Sequence, residues 1–331
     1  MSYFNLPSAL TATLIAAGAT LPYAAQAQAQ ALLTYDDLSF VEEGLATDLG
    51  GAVLSFQGLL DQRYLVEPDD AAERSRSLAQ ARLRLEGELA NGWTLGAEYL
   101  GIFTYQGTGV SQHRFAVFTG GGWGQLSFGD VTAKLENAVS RGHGVGNASL
   151  AFSRGFGGLS LTGAHYMQTI NAYQIHVAVD EYENAQVGLV YEAPVAAGAW
   201  TWGARAGTGL LQERSAGIGF GDTRELAAFA GYTRGAFSVG AELGTQDITL
   251  DGAAASQSQD FASIGLKYKA GRSSFSMELG HAEFNAVDYE AVALGYRYDI
   301  ARGLSVNVGA NYLDNDVDST WTVPLSIRYE F

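Results

Sequence analysis

The stretch TWTVPLSIRYEF, Thr320–Phe331, decides how the rest of the chain is read. Taken in twos, Trp321, Val323, Leu325, Ile327, Tyr329 and Phe331 share one face, and Thr320, Thr322, Pro324, Ser326, Arg328 and Glu330 share the other. Period two is the signature of a β-strand, whose successive side chains point to opposite sides. The pattern runs to the last residue, an aromatic, so this end is expected to be held in register by a partner strand. Pro324 is the awkward member, because it removes one ladder donor.

The same alternation recurs upstream. In LAQARLRLEGEL, Ala81, Leu83, Leu85, Gly87 and Leu89 oppose Gln80, Arg82, Arg84, Glu86 and Glu88. In LSVNVGANY, Leu304, Val306, Val308, Ala310 and Tyr312 oppose Ser305, Asn307, Gly309 and Asn311. A face of Arg, Glu and Asn is not a dry core, since buried charge must be paired at a cost of several kcal/mol. The apolar faces are therefore expected to meet lipid and the polar faces internal water.

Composition agrees. The 331 residues are 47% hydrophobic but only 16% charged, with 42 Gly, 17 Tyr, 16 Phe and no Cys, where soluble domains average about 25% charged. Outside the N-terminal segment no apolar run reaches the ~18 residues of a membrane helix. A net charge of −16 disfavours nucleic acid as a partner, since phosphate binding needs a basic surface. Without cysteine there are no disulfides or thiolate metal sites.

Leu6–Ala31 carries no charge and ends in AQAQA, which fits a signal core with cleavage after Ala27 or Ala29, although the usual basic residue near Met1 is missing. The expected division is a signal peptide over 1–29, an N-terminal extension over 30–48 and the barrel over 49–331. Seven segments have the plan of a tight Gly-containing turn between strands: LANGWTLGAEY, FTGGGWGQLSFG, FSRGFGGLSLTGAHY, YEAPVAAGAWTWGARAG, YTRGAFSVGAEL, YKAGRSSFSMELG and YDIARGLSVNVGANY. Seven hairpins with one strand added at each end make sixteen strands, the first expected in GGAVLSFQGLLDQRY. One stretch counts two ways. Gln168–Asn184 is read as a long fourth loop whose YQIHVAV extends a strand above the membrane, but a hairpin at DEYEN would raise the count to eighteen.

The fold class that follows is all-β: a closed antiparallel transmembrane barrel with short turns at one rim, long loops at the other and aromatic girdles. Lipid offers no backbone partners, so the sheet has to close.

In these terms the chain resembles the general diffusion porins of Gram-negative outer membranes, especially those of purple photosynthetic α-proteobacteria. The resemblance rests on HRFAVFTGGGWGQLSFGDVTAKLENAV, His113–Val139, similar to that family's strand four, turn, strand five and Gly-Asp entry to the third loop, and on the terminal IRYEF. It implies a homotrimer whose third loop folds inward and narrows a water-filled passage. Acidic loop residues would then face basic wall residues. Carried over, the loop contributes Asp130, Lys134 and Glu136, and the wall contributes Arg82 and Arg84, with Arg63 and Arg114 on adjacent strands also inward by parity; Arg74 and Arg76 also fit a solvated loop face. Opposed charges across a neck create a transverse field that orients dipolar solutes. Tyr329 and Phe331 would form the C-terminal signal read by the barrel-assembly machinery.

The implied partners are membrane lipid, lipopolysaccharide and small hydrophilic solutes. The implied function is passive diffusion of ions and such solutes, with a sugar- or carboxylate-selective channel as the alternative and a structural or adhesive barrel third. The third loop is less acidic than the family's, and residues 32–48 have no counterpart in it. No cofactor is expected; the acidic loops offer oxygen ligands to a divalent cation at most. His113, His143, His165, His176 and His281 are scattered, no hydrolase or zinc motif is present, and GHGVGN at 142–147 lacks the Lys and helix of a phosphate loop. No enzyme is expected.

Overall fold

In a computed structural model the described residues, 45–66, 74–106, 108–130, 144–145, 162–181, 184–195, 198–211, 221–250, 257–284, 287–315 and 319–331, form one antiparallel sheet without a helix. Its strands are β1 (Leu45–Asp48), β2 (Ala52–Val66), β3 (Arg74–Glu88), β4 (Thr94–Gln106), β5 (Thr108–Gly121), β6 (Gly124–Gly129), β7 (Gly163–Ile170), β8 (Tyr173–Asp180) and β9 (Ala185–Val195). They continue as β10 (Gly198–Leu211), β11 (Gly221–Arg234), β12 (Phe237–Leu250), β13 (Gln257–Ala270), β14 (Ser273–Phe284), β15 (Val287–Ala301), β16 (Leu304–Asn315) and β17 (Ser319–Glu330).

Each strand from β2 to β16 pairs with the next, and β17 returns to β2 from Val323↔Val66 to Glu330↔Leu59, closing a ring of sixteen. Phe331 completes the seam by exchanging two backbone hydrogen bonds with Gly58, at 2.6 and 3.0 Å. The terminal strand is thus held at both edges except beside Pro324. There the β16–β17 ladder steps from Val308↔Leu325 to Asn311↔Thr322, leaving the rungs between without a pair. β1 lies on the same edge of β2 as β17 but lower, pairing Leu45↔Phe56 to Asp48↔Val53.

Alternation assigns the faces as expected. Leu83, Leu85, Phe103, Phe115, Leu243, Ile264, Leu294 and Ile327 are exposed on the outside. Ring contacts follow the short-turn rim, among them Trp93–Trp123, Trp123–Tyr166, Trp200–Tyr232 and Phe275–Tyr296, together with Phe331 against Phe56 and Tyr329. These are the girdle of a membrane barrel. Most strands are 12 to 15 residues long, more than the 9 to 11 of a minimal span, so several extend beyond the apolar belt.

The count of sixteen stands, but one hairpin lies elsewhere than expected. The turn sought in FSRGFGGLSLTGAHY falls largely outside the described residues, and between Gly129 and Gly163 no strand is described. The tight turn is instead Asn171–Ala172, joining β7 to β8. YQIHVAV is therefore a barrel strand rather than part of a long loop, with Tyr173, Ile175, Val177 and Val179 exposed outward. DEYEN does turn the chain, closed by Asn184 donating from its backbone and side chain to Asp180. The extra hairpin at one place offsets the missing one at the other. The turn escaped notice because the left-handed position, filled by Gly235 at φ 56° between β11 and β12, is filled here by Asn171 at φ 55°. Asn tolerates that region through local hydrogen bonding, so no glycine marks the turn.

Candidate functional site: the inner wall

The arginines singled out in the sequence share the inner face of β2, β3 and β5; β2 adjoins β3 as expected, but β4 lies between β3 and β5, so Arg114 is one strand further off than expected. Arg82 and Arg114 lie on one rung, Gln57↔Arg82↔Leu100↔Arg114, and Arg84 lies on the next, Ser55↔Arg84↔Glu98↔Ala116. Arg63 pairs across from Arg76 nearer the long-loop rim. Their acidic neighbours come from the same wall. Arg84 binds Glu86 through Nε at 2.8 Å and Nη2 at 2.5 Å and approaches Glu98 at 3.9 Å, the distance at which Arg82 also meets Glu98. Arg63 reaches Asp61 at 3.2 Å, and Arg114 reaches Asp130 at 3.6 Å.

Exposure separates these groups. The side chain of Arg82 is 47% exposed and that of Arg84 37%, whereas Asp61 and Asp130 are buried. Charges this exposed contribute little to the stability of the fold. By parity the inward charged residues of β2 to β6, with Asp130, are Arg63, Arg74, Arg76, Arg82, Arg84 and Arg114 against Asp61, Glu86, Glu88, Glu98 and Asp130.

Asp130 opens the segment between β6 and β7. Its N–H donates to the Phe115 carbonyl at 2.7 Å, and Gly129 at φ 110° takes the backbone out of the wall, where a side chain would strike the Phe115 carbonyl. Within that segment Val145 is buried, and its N–H donates to Ser276 Oγ at 2.8 Å. A Cβ on Gly295 would overlap the Val145 carbonyl. Ser276 and Gly295 are inward residues of β14 and β15. β6 and β14 stand eight strands apart in a ring of sixteen, so Val145, between β6 and β7 in sequence, sits against the wall opposite β6. Lys134 and Glu136, expected on the same loop, lie outside the described residues.

The opposite wall differs from the expectation of a uniformly wet polar face. Ser274, Ser276, Glu278, Asp299, Ser305, Asn307 and Ser326 are inward yet buried, and Asn307 Nδ2 donates to Ser305 and Ser326, both at 3.3 Å. Small polar groups satisfying one another can be buried where a lone charge cannot.

Sequence reading also missed a pair of histidines. His165 and His176, on β7 and β8, are buried on the inner face with Nε2 and Nδ1 3.1 Å apart. Only the placement of the Asn171 turn brings them to diagonal positions. His113 faces outward against the Tyr99 hydroxyl at 2.6 Å, His281 lies 3.7 Å from Asp288, and His143 is outside the described residues. Among the described residues no three His, Asp or Glu side chains are grouped to hold a metal ion.

No curated protein sequence matches the chain significantly. Among solved structures it is similar to a trimer form of OmpT, an outer membrane protein of Vibrio cholerae, at 15% identity and TM-score 0.69, covering 85% of this chain and 100% of that one. It is also similar to the anion-selective porin of Comamonas acidovorans, at 14% identity and TM-score 0.66 over 85% and 100%. A mutant of the Rh. blastica porin matches at 14% identity and TM-score 0.58 over 84% and 100%. Identities this low speak for the fold alone. The family of Gram-negative porins, however, matches residues 11–318, nearly the whole chain. With a closed ring of membrane-spanning strands and that family match, the chain belongs to the Gram-negative porins and is a multi-pass protein of the outer membrane.

Proposed function

We propose that this porin is an open channel for passive diffusion of ions and small hydrophilic solutes, with the passage running along the inner wall of β2 to β6. The observation that carries this reading is the row of Arg82, Arg84 and Glu86, which faces inward and is left partly exposed. Arg63, Arg82, Arg84, Arg114 and Asp130 would line its narrowest part, joined by Lys134 and Glu136 from the third loop. A water-filled neck with charge on its wall passes hydrated ions and polar solutes while discouraging apolar ones. The trimer form of the Vibrio protein supports a homotrimer here, and the exposed outward Leu83, Leu85 and Leu89 supply an apolar surface for it. Tyr329 and Phe331 would serve as the C-terminal assembly signal, export would use the segment 1–29, and lipopolysaccharide would cover the outer leaflet side.

Single-channel recording in planar bilayers tests the reading. Conductance rising in proportion to salt, with solute flux that does not saturate, is the expected result. A sugar- or carboxylate-selective channel draws on the same row of arginines but predicts flux that saturates and a solute that blocks ion current. A barrel without unit conductance steps would overturn both.

A further inference from the structure

Phe118 belongs to no charged pair, yet it sits at the centre of the basic wall. It lies on the inner face of β5, buried at 3% exposure, on the rung Glu86↔Gly96↔Phe118. Gly96 has no side chain, and a Cβ there would overlap the Phe118 ring. The ring therefore lies flat across β4, through the space a side chain would fill, and reaches β3. There the Arg84 guanidinium carbon stands 4.4 Å above the ring centroid. Glu86, on the rung that holds the ring, chelates the same guanidinium through two nitrogens.

Glycines covered by a cross-strand phenylalanine recur on the inner face, at Gly203 with Phe229 and at Gly244 with Phe261, where both rings are buried. Covering a glycine is reason enough for an aromatic in a sheet. At Gly96 and Phe118 the ring also carries a half-exposed arginine on its face. An arginine on a free inner wall sweeps its charge through several ångströms of the passage. One laid on an aromatic face and gripped by a carboxylate presents its charge at one place.

We infer that Phe118 is a positioning residue for the channel: through the slot at Gly96 its ring pins the Arg84 guanidinium against the wall, so an uncharged side chain sets where the pore's fixed charge lies. This rests on the reading of Arg84 as a pore-lining charge. Without the ring, Arg84 is held by carboxylates alone and swings toward the axis. Ion selectivity should then change although no charge has been added or removed.

The test is the reversal potential across a salt gradient, with single-channel conductance, for refolded wild type, Phe118→Leu, Phe118→Tyr and Arg84→Ala. Phe118→Leu keeps an apolar cover on Gly96 but removes the aromatic face. It is expected to shift the reversal potential toward anions and to lower conductance, and Phe118→Tyr, which retains the ring, to restore both. Arg84→Ala shifts selectivity toward cations, and adding Phe118→Leu to it should then change nothing further. If Arg84→Ala shifts selectivity and Phe118→Leu does not, the positioning role is overturned while the pore-lining reading stands. If neither shifts it, with folded barrels by circular dichroism, the pore-lining reading itself fails. Should Phe118→Leu not fold, Gly96→Ala, which displaces the ring without deleting it, is expected to give the same anion shift, and its absence overturns the proposal.

Discussion

The inner walls on opposite sides of the barrel are built from the same alternation and end up in different states. On β2 to β6 the inward residues are long and charged, and Arg82 and Arg84 keep much of their surface open. On β14 to β17 the short inward residues Ser274, Ser276, Ser305, Asn307 and Ser326 are buried, as are Glu278 and Asp299, while Arg297 and Arg328 stay partly exposed. Val145 of the third loop is seated on this second wall. An arginine can be buried on the inner face where a carboxylate meets it, as Glu225 meets Arg205 at 3.7 Å, but Arg82 and Arg84 are not covered in this way. Serine and asparagine can be covered, since each finds a partner within reach. At Val145 the loop rests on the wall of β14 and β15, while Arg82 and Arg84 on the other side keep part of their surface exposed.

Both walls depend on the seam between β17 and β2, and breaking it should have the largest effect. Deleting Phe331 removes its two backbone bonds to Gly58 and the ring contacts with Phe56 and Tyr329, about 2 kcal/mol in total. Heat-modifiable folded barrel in the outer membrane should fall sharply while unfolded chain still reaches the periplasm. Normal assembly would remove the role given to this end.

Next in size is Gly295→Val, aimed at the covered wall alone. The new side chain meets the Val145 carbonyl, and overpacking of this kind costs about 1–3 kcal/mol. The loop is expected to leave the wall, so the channel becomes noisier and its mean conductance changes, with the barrel intact by circular dichroism. Quiet, unaltered single-channel currents would mean that the covered wall does not hold the loop.

The open wall is tested by Arg82→Ala with Arg84→Ala. Losing two cations leaves Glu86, Glu98 and Asp130 dominant, and the cation-to-anion permeability ratio should rise by roughly two- to threefold at low salt. Conductance should rise as well. The shift should shrink at high ionic strength, because the screening length is already about 10 Å at 0.1 M. Unchanged selectivity would put these arginines outside the conducting path.

The smallest expected effect sharpens the same contrast. Ser276→Ala deletes one acceptor, that of the Val145 N–H, worth about 1 kcal/mol. It should reproduce the noise of Gly295→Val in weaker form and leave selectivity unaltered, as read by current variance and reversal potential.

Much of this was legible in the chain itself. Period two is a local property, so LAQARLRLEGEL and TWTVPLSIRYEF disclosed which side chains face lipid and which face inward, and the lack of backbone partners in lipid required a closed ring. The parity of Arg63, Arg82, Arg84 and Arg114 followed from the same local rule. The Asn171 turn did not, because an asparagine in the left-handed region carries no glycine signature. Lateral neighbours did not either, since they depend on register between strands. That Arg84 meets Glu98 on β4 and lies on Phe118 of β5 follows from two rows of backbone pairing that no single strand encodes. The seating of Val145 on Ser276 spans 131 residues of chain and the width of the barrel. Alternation determined the two faces of every strand; only closure of the ring and the register between its strands decided which inward side chains meet, because those contacts join residues far apart in the sequence.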